Sequence, residues 1–348
     1  MQQENKKVTY SFKNDYSEGA HPNILQALVA SNLEQQDGYG EDQYCHAAIE
    51  TIKEKLQDPN VDIHFVSGGT QANLIVISSI LRPYESVIAA DTGHISTHET
   101  GAIEATGHKV NTIDVKDGKL SPKKIKNLLD LHTDEHMVKP RMVYISNTTE
   151  VGTIYKKQEL KDLHQFCREN DLLLFLDGAR LGSALCSSEN DLTLAEIVKL
   201  VDVFYIGGTK NGALIGEAIV ISNEALKTNF RFNMKQKGAL LAKGRLLGIQ
   251  FLELFKEDLF FQLGNHANQM ALKLSENIIE LGYQLLTPPQ SNQIFPILPN
   301  KTIEKLKENY AFYVWSKIDE ETSVIRLVTS WATKETAVEA FIEDLKKI

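Results

Sequence analysis

Along the first two thirds of the chain, short apolar and β-branched runs alternate with stretches whose apolar positions recur every three or four residues. The short runs predict strands at Asp62–Val66, Ser86–Ala90, Lys109–Ile113, Arg141–Ser146, Leu172–Leu176, Val201–Ile206 and Glu217–Ile221. The stretches between them predict helices at Thr70–Leu81, Ser121–Leu131, Gln158–Asn170 and Leu192–Leu200. In Gln158–Asn170 the apolar set is Leu160, Leu163 and Phe166, and Ser121-Pro122 reads as an N-cap followed by proline at the first helical position. Alternation of this kind predicts an α/β fold with a mostly parallel, seven-stranded sheet covered by helices.

After about residue 245 the texture changes. Leu246–Phe261 and Ala267–Leu281 predict long helices, followed by short strands around Gln293–Leu298, Phe312–Val314 and Val324–Val328 and a final helix from Lys334. The division expected is an N-terminal segment with a large domain over residues 1–245, then a linking helix and a small α+β domain over 246–348.

Composition narrows the classes. Hydrophobic residues make up 42% and charged residues 24% of the 348 positions, as in an ordinary globular protein, and the net charge of −9 disfavours nucleic acid as a partner. Cys45, Cys167 and Cys186 show neither CxxC nor a metal-ligand spacing. Met1 to Thr9 is polar, and the longest apolar stretch, Leu74 to Leu81, is too short to span a bilayer. These features lead to the expectation of a cytoplasmic protein with no membrane partner.

Three strand ends carry the candidate chemistry. Ser67-Gly68-Gly69-Thr70-Gln71-Ala72-Asn73 follows the first strand and opens a helix, where free N–H groups favour an anion. It is neither GxGxxG nor GxxxxGK[ST], so dinucleotides and nucleoside triphosphates are disfavoured. Asp177, in Asp177-Gly178-Ala179-Arg180, closes a buried strand at the edge where open α/β sheets bind ligands, with a cap for the next helix as the lesser alternative. Lys210, in Gly207-Gly208-Thr209-Lys210-Asn211-Gly212, sits among small residues at another strand end, one helix further on. His94, His98 and Glu99 form an HxxxHE string that is not HExxH and has no spaced third ligand, so no metal is expected.

Together, SGGTQAN, DTGH, LDGAR and GGTKNG resemble the fold-type-I pyridoxal-phosphate enzymes, and within them the low-specificity threonine aldolase (β-eliminating lyase) family. The likeness runs from Asn14-Asp15-Tyr16-Ser17 to Ile325-Arg326-Leu327-Val328-Thr329. It implies pyridoxal 5'-phosphate as cofactor and aldol cleavage of L-threonine, L-allo-threonine or a related β-hydroxy-α-amino acid to glycine and an aldehyde. By residue, it implies Gly69 and Thr70 at the phosphate, His94 stacked on the ring and Asp177 at the pyridine nitrogen. Lys210 becomes the Schiff-base lysine, and Arg326 the grip on the substrate carboxylate. Arg180 is implied at both cofactor and substrate. Tyr39, with Gly40, is implied to reach a neighbouring subunit's active site, and Lys243 that neighbour's phosphate, in a homodimer or homotetramer. His94, or a water it orients, is the expected base.

Three positions depart from the family pattern. Asn14 stands where a substrate-contacting serine is usual, Thr209 where a serine precedes the lysine, and Thr149 where a second active-site histidine is usual. Two other readings stay open: a β-eliminating lyase or aminotransferase on another amino acid, and a non-catalytic cofactor-binding protein.

Overall fold

A computed structural model describes residues 10–348; Met1 to Thr9, on which the expectation of no signal segment rested, lie outside the described residues. The chain opens with β1 (Tyr10–Ser11) and then builds a seven-stranded sheet from β2 (Asp62–Val66), β3 (Glu85–Ala90), β4 (Val110–Ile113), β5 (Lys139–Ser146), β6 (Leu173–Asp177), β7 (Val203–Gly207) and β8 (Glu217–Ile221). Its spatial order is β2-β8-β7-β6-β5-β3-β4. Every neighbouring pair is parallel except those involving β8, which runs antiparallel to both β2 and β7.

The strands are apolar without alternation because helices cover both faces. Leu174, Leu176, Phe204 and Ile206 face one buried cluster, while Leu173, Phe175, Val203 and Tyr205 face the other. Register sets the geometry of the edge. Ser146 pairs with Asp177, Gly207 with Glu217, and Glu217 with Val66, so the ends of β2, β5, β6 and β7 and the start of β8 lie along one edge. Because β8 is reversed, its first residue lies beside the last residues of its neighbours.

The smaller sheet comprises β9 (Gln284–Leu285), β10 (Gln293–Ile294), β11 (Pro296–Pro299), β13 (Tyr313–Lys317) and β14 (Thr322–Val328), with β14 pairing antiparallel to β10, β11 and β13. Between β11 and β13, β12 (Tyr310–Ala311) instead pairs in parallel with β1. Phe12 packs its ring 5.5 Å from Phe341 and 6.2 Å from Tyr310. Residues 10–12, grouped with the large domain in the sequence division, are thus built into the smaller sheet's core.

The long helices also differ from expectation. They span Arg245–Lys256 and Leu259–Glu280, so the break falls at Glu257-Asp258 and not near residue 264. Asp258 adopts φ 57°, which interrupts the helix, and its carboxylate receives Lys55. Gly264 continues the second helix and serves as a packing site. A Cβ there would stand 2.6 Å from the carbonyl oxygen of Gly182.

This contact is backbone against backbone, with no flexible side chain to yield. Gly264→Ala should therefore destabilise the fold by about 1–3 kcal/mol, the usual range for overpacking, read as a lower thermal-unfolding midpoint. Gly19→Ala, whose Cβ meets nothing within 4 Å, is the matched control and should leave the midpoint unchanged. Equal midpoints for the two variants would refute the packing account.

Candidate active site

A cavity of about 930 Å³ opens at the edge where β6 and β7 end and β8 begins. Gly69, Thr70, His94, Asp177, Arg180, Lys210 and Arg326 all line it, so most of the residues singled out from sequence converge. Asn14, Tyr39 and Lys243 do not line it. Asn14 turns its side-chain oxygen toward the Tyr16 N–H (3.1 Å) and the Ser17 hydroxyl (2.9 Å). Tyr39, at φ 62°, lies under the Lys235 ammonium (4.4 Å from the ring), and its own N–H reaches the Ala242 carbonyl, beside exposed Lys243.

Asp177 forms the cavity floor and is 3% exposed. Burial by itself would favour its neutral form. The electrostatic influence of nearby His94, then hydroxyls from Tyr144 and Tyr205 and the Ala179 N–H, outweigh burial and hold the carboxyl below its usual range. The Tyr144 hydroxyl donates to Oδ2 at 2.5 Å, Ala179 N–H to Oδ1 at 3.0 Å, and Asn73 Nδ2 to Oδ2 at 3.3 Å. An ionised carboxylate at this depth is set to face a cationic group. The helix-cap alternative does not hold, because Asp177 is itself a strand residue and the next helix begins at Leu181.

The turn after β2 leaves an anion site. No side chain caps the helix Gly69–Ile80, whose first N–H groups have no partner within the helix. Ser67 braces the turn by donating both its N–H (3.0 Å) and its hydroxyl (2.9 Å) to Gln71. Across the cavity, His94 opens a single helical turn, His94–Thr97, that the sequence pattern did not predict. Its Nδ1 lies 2.8 Å from Glu99, a buried carboxylate that also accepts from Asn73 at 2.8 Å. The HxxxHE string is explained by this arrangement: Glu99 orients the His94 ring. His98 lines the same cavity, its ring centroid 5.6 Å from that of His94.

Lys210 is depressed below its ordinary range, first by burial and then by the Arg180 cation, with Asp15, Asp177 and Glu217 opposing. Its amine is therefore more readily neutral and nucleophilic than a surface lysine. Arg180 has its fork occupied: Nε donates to Asp15 Oδ2 at 2.7 Å and Nη2 to Oδ1 at 3.0 Å. Arg326 is placed differently. Its guanidinium carbon lies 5.5 Å from the Tyr313 ring centroid and 5.3 Å from that of Trp315, and its buried Nε has no hydrogen-bond partner. A buried donor without a partner is costly, and an incoming carboxylate would satisfy it.

Sequence reasoning missed Tyr144, Tyr205, Asp15, Glu217 and the cavity placement of His98. Two carried a visible signal: Tyr144 is a hydroxyl within an apolar strand, and Glu217 a carboxyl opening one.

A family model described as "Beta-eliminating lyase" matches residues 14–300. The low specificity L-threonine aldolase of a Pseudomonas species is 33% identical over 343 residues, covering 97% of each chain. A solved structure of Leishmania major threonine aldolase is 54% identical with a TM-score of 0.96, covering 97% of this chain and 99% of that one. An aspartate aminotransferase variant from Thermus thermophilus shares the fold at 15% identity and a TM-score of 0.72, covering 99% of this chain and 92% of its own.

The Asp15–Arg180 pair makes a pH-dependent contribution to folding. Burial alone would raise the Asp15 carboxyl, but Arg180 and Lys210, with hydrogen bonds from Arg180 and Asn292, hold it below its usual range. Its contribution is complete above the unfolded value of about 4 and is lost as pH falls through the lower folded value. Asp15→Asn should cost about 3–5 kcal/mol at neutral pH by leaving Arg180 unpaired. The gap from wild type should narrow in acid, as followed by denaturant unfolding at several pH values. A gap that stays constant down to the lowest pH would contradict the assignment.

Proposed function

The chain belongs to the beta-eliminating lyase family, and from that premise we propose that it cleaves L-threonine and related β-hydroxy-α-amino acids to glycine and an aldehyde. The observation that carries this reading is the convergence of Lys210, Asp177, the Gly69-Thr70 turn and Arg326 in one cavity. The residues fit pyridoxal phosphate, the cofactor of threonine aldolases. The uncapped turn suits a phosphate, the ionised Asp177 a protonated ring nitrogen, and the depressed Lys210 amine a carbonyl. When bound, that cofactor supplies the electron sink for the pair released as a bond to Cα breaks.

The chain's own residues then select which bond breaks. Arg326, held between Tyr313 and Trp315, receives the substrate carboxylate and fixes the rotation about Cα. Arg180, whose fork is taken by Asp15, contributes positive field rather than the primary grip. His94, fixed through Glu99, serves as the platform beside the ring. We assign acceptance of the β-hydroxyl proton to His98 in place of His94. Burial, His94 and the cations Arg326, Lys210 and Arg180 all hold the His98 imidazole below its usual range, so it stays neutral and able to accept. The family's second histidine position cannot serve here, since Thr149 is fully buried and bonded to Thr153 (2.8 Å).

Tyr39 and Lys243 lie outside their own chain's cavity, and exposed Leu33, Val29 and Phe232 offer apolar surface for a second copy. We read the protein as a homo-oligomer in which these residues serve a neighbour's site. Three unpaired cysteines suit a cytoplasmic location.

Purified protein should show the visible band of a lysine-bound cofactor, and Lys210→Ala should lack it. Threonine should yield glycine without an added α-keto acid. A requirement for the keto acid would point to an aminotransferase instead. His98→Asn should lower kcat about 10²–10⁴-fold with the cofactor band intact, and a variant with unchanged kcat would return the base to His94.

A further inference from the structure

Asn73 is 1% exposed and sits on the helix Gly69–Ile80, one turn along from Gly69. An amide buried this deeply is expected to be hydrogen-bonded. Its Nδ2 is the meeting point of two acids from distant parts of the chain, donating to Glu99 Oε1 at 2.8 Å and to Asp177 Oδ2 at 3.3 Å. An amide nitrogen carries two hydrogens, so each carboxyl group takes one. The opposite orientation of the amide would set its oxygen against two acceptors, and this fixes Nδ2 on their side. The arrangement is not free of strain on polar pairing. Asn73 Oδ1 and Glu99 Oε2 are buried and have no hydrogen-bond partner among the described residues. An apolar side chain of the same size would avoid the orphaned amide oxygen. What only the amide supplies is the link between the two acids.

Both acids act on the cavity, although Asn73 and Glu99 do not line it. Asp177 is its floor, and Glu99 Oε1 lies 2.8 Å from Nδ1 of His94, which does line it. The contacts Asp177–Asn73–Glu99–His94 therefore run behind the cavity wall and join two groups that face into it. Through its own helix Asn73 is also tied to the Gly69-Thr70 turn. We propose that Asn73 is a positioning residue that holds Asp177, His94 and the Gly69-Thr70 turn in one fixed spacing, so that a flat cofactor touching all three is seated at a single tilt. A ring met at its edge by Asp177 and on its face by His94 takes its orientation from the relative placement of those two groups. That orientation decides which bond to Cα stands perpendicular to the ring. Asp177 keeps the Tyr144 hydroxyl and the Ala179 N–H when Asn73 is replaced, so the carboxylate survives and its tie to Glu99 is what is lost.

This inference rests on the proposed reading, in which the cofactor is bound to Lys210. Borohydride reduction of wild type followed by peptide mapping tests that premise separately, whatever the Asn73 variants do. The inference itself is tested on the holoenzymes of Asn73→Leu, which keeps the size, and Asn73→Ala, which adds no bulk. Each should retain the absorbance band of the lysine-bound cofactor, while the circular dichroism induced in that band, which reports ring tilt, changes from wild type. Their kcat for threonine should fall about 10²-fold with KM little changed, because the carboxylate grip of Arg326 is untouched. Wild-type dichroism and kcat in both variants would overturn the proposal, as would a loss confined to KM. Should neither variant fold with cofactor, a crystal structure of wild-type holoenzyme decides. Asn73 Nδ2 bonded to both acids, with Asp177 at the ring nitrogen and His94 on the ring face, supports the proposal. An Nδ2 bonded to one acid or to neither refutes it.

Discussion

A carboxylate buried at the end of a β-strand is tolerated only when donors and positive charge surround it, and much of this protein is arranged to meet that condition at Asp177. Tyr144 comes from the neighbouring strand, Tyr205 from the next, Asn73 from the helix after β2, and His94 from the turn after β3. Four separate elements therefore have to be in register before the charge can exist. This explains why the site sits where it does. Only at the carboxyl edge of a twisted parallel sheet do so many strand ends and helix starts face one point.

The same economy repeats around the cavity. Arg180 is matched by Asp15 and His94 is bonded to Glu99, so these two basic side chains each have an acidic neighbour. Arg326 stands apart, flanked by aromatic rings and with a buried donor left open. A site whose internal charges are balanced while one guanidinium is not will attract an anion at that one place.

Much of this was legible in the chain. Apolar runs of five or six residues marked the strands within a residue or two, and Asp177 and Lys210 stood out because each closed such a run. The misreadings have physical causes. The gap expected between Phe261 and Ala267 is instead continuous helix, with Gly264 placed where that helix crosses the Gly182 backbone, a contact only the packed structure shows. Residues 10–12 precede the large domain in sequence but complete the smaller sheet, since Phe12 finds its cover there.

By itself the sequence determined the sheet class and the strand ends, because periodicity and strand termination are local properties, and the likeness of its motifs to a family singled out Asp177 and Lys210. Tertiary structure alone decided the partners. Asp15 meets Arg180 across 165 positions, and Glu217 reaches the lysine turn because one strand runs against its neighbours. Partner choice among buried charges depends on which distant segments are brought together, and desolvation makes those pairings the terms that set protonation. That is why the family likeness could be read from the chain, whereas the buried charge partners emerged only from the fold.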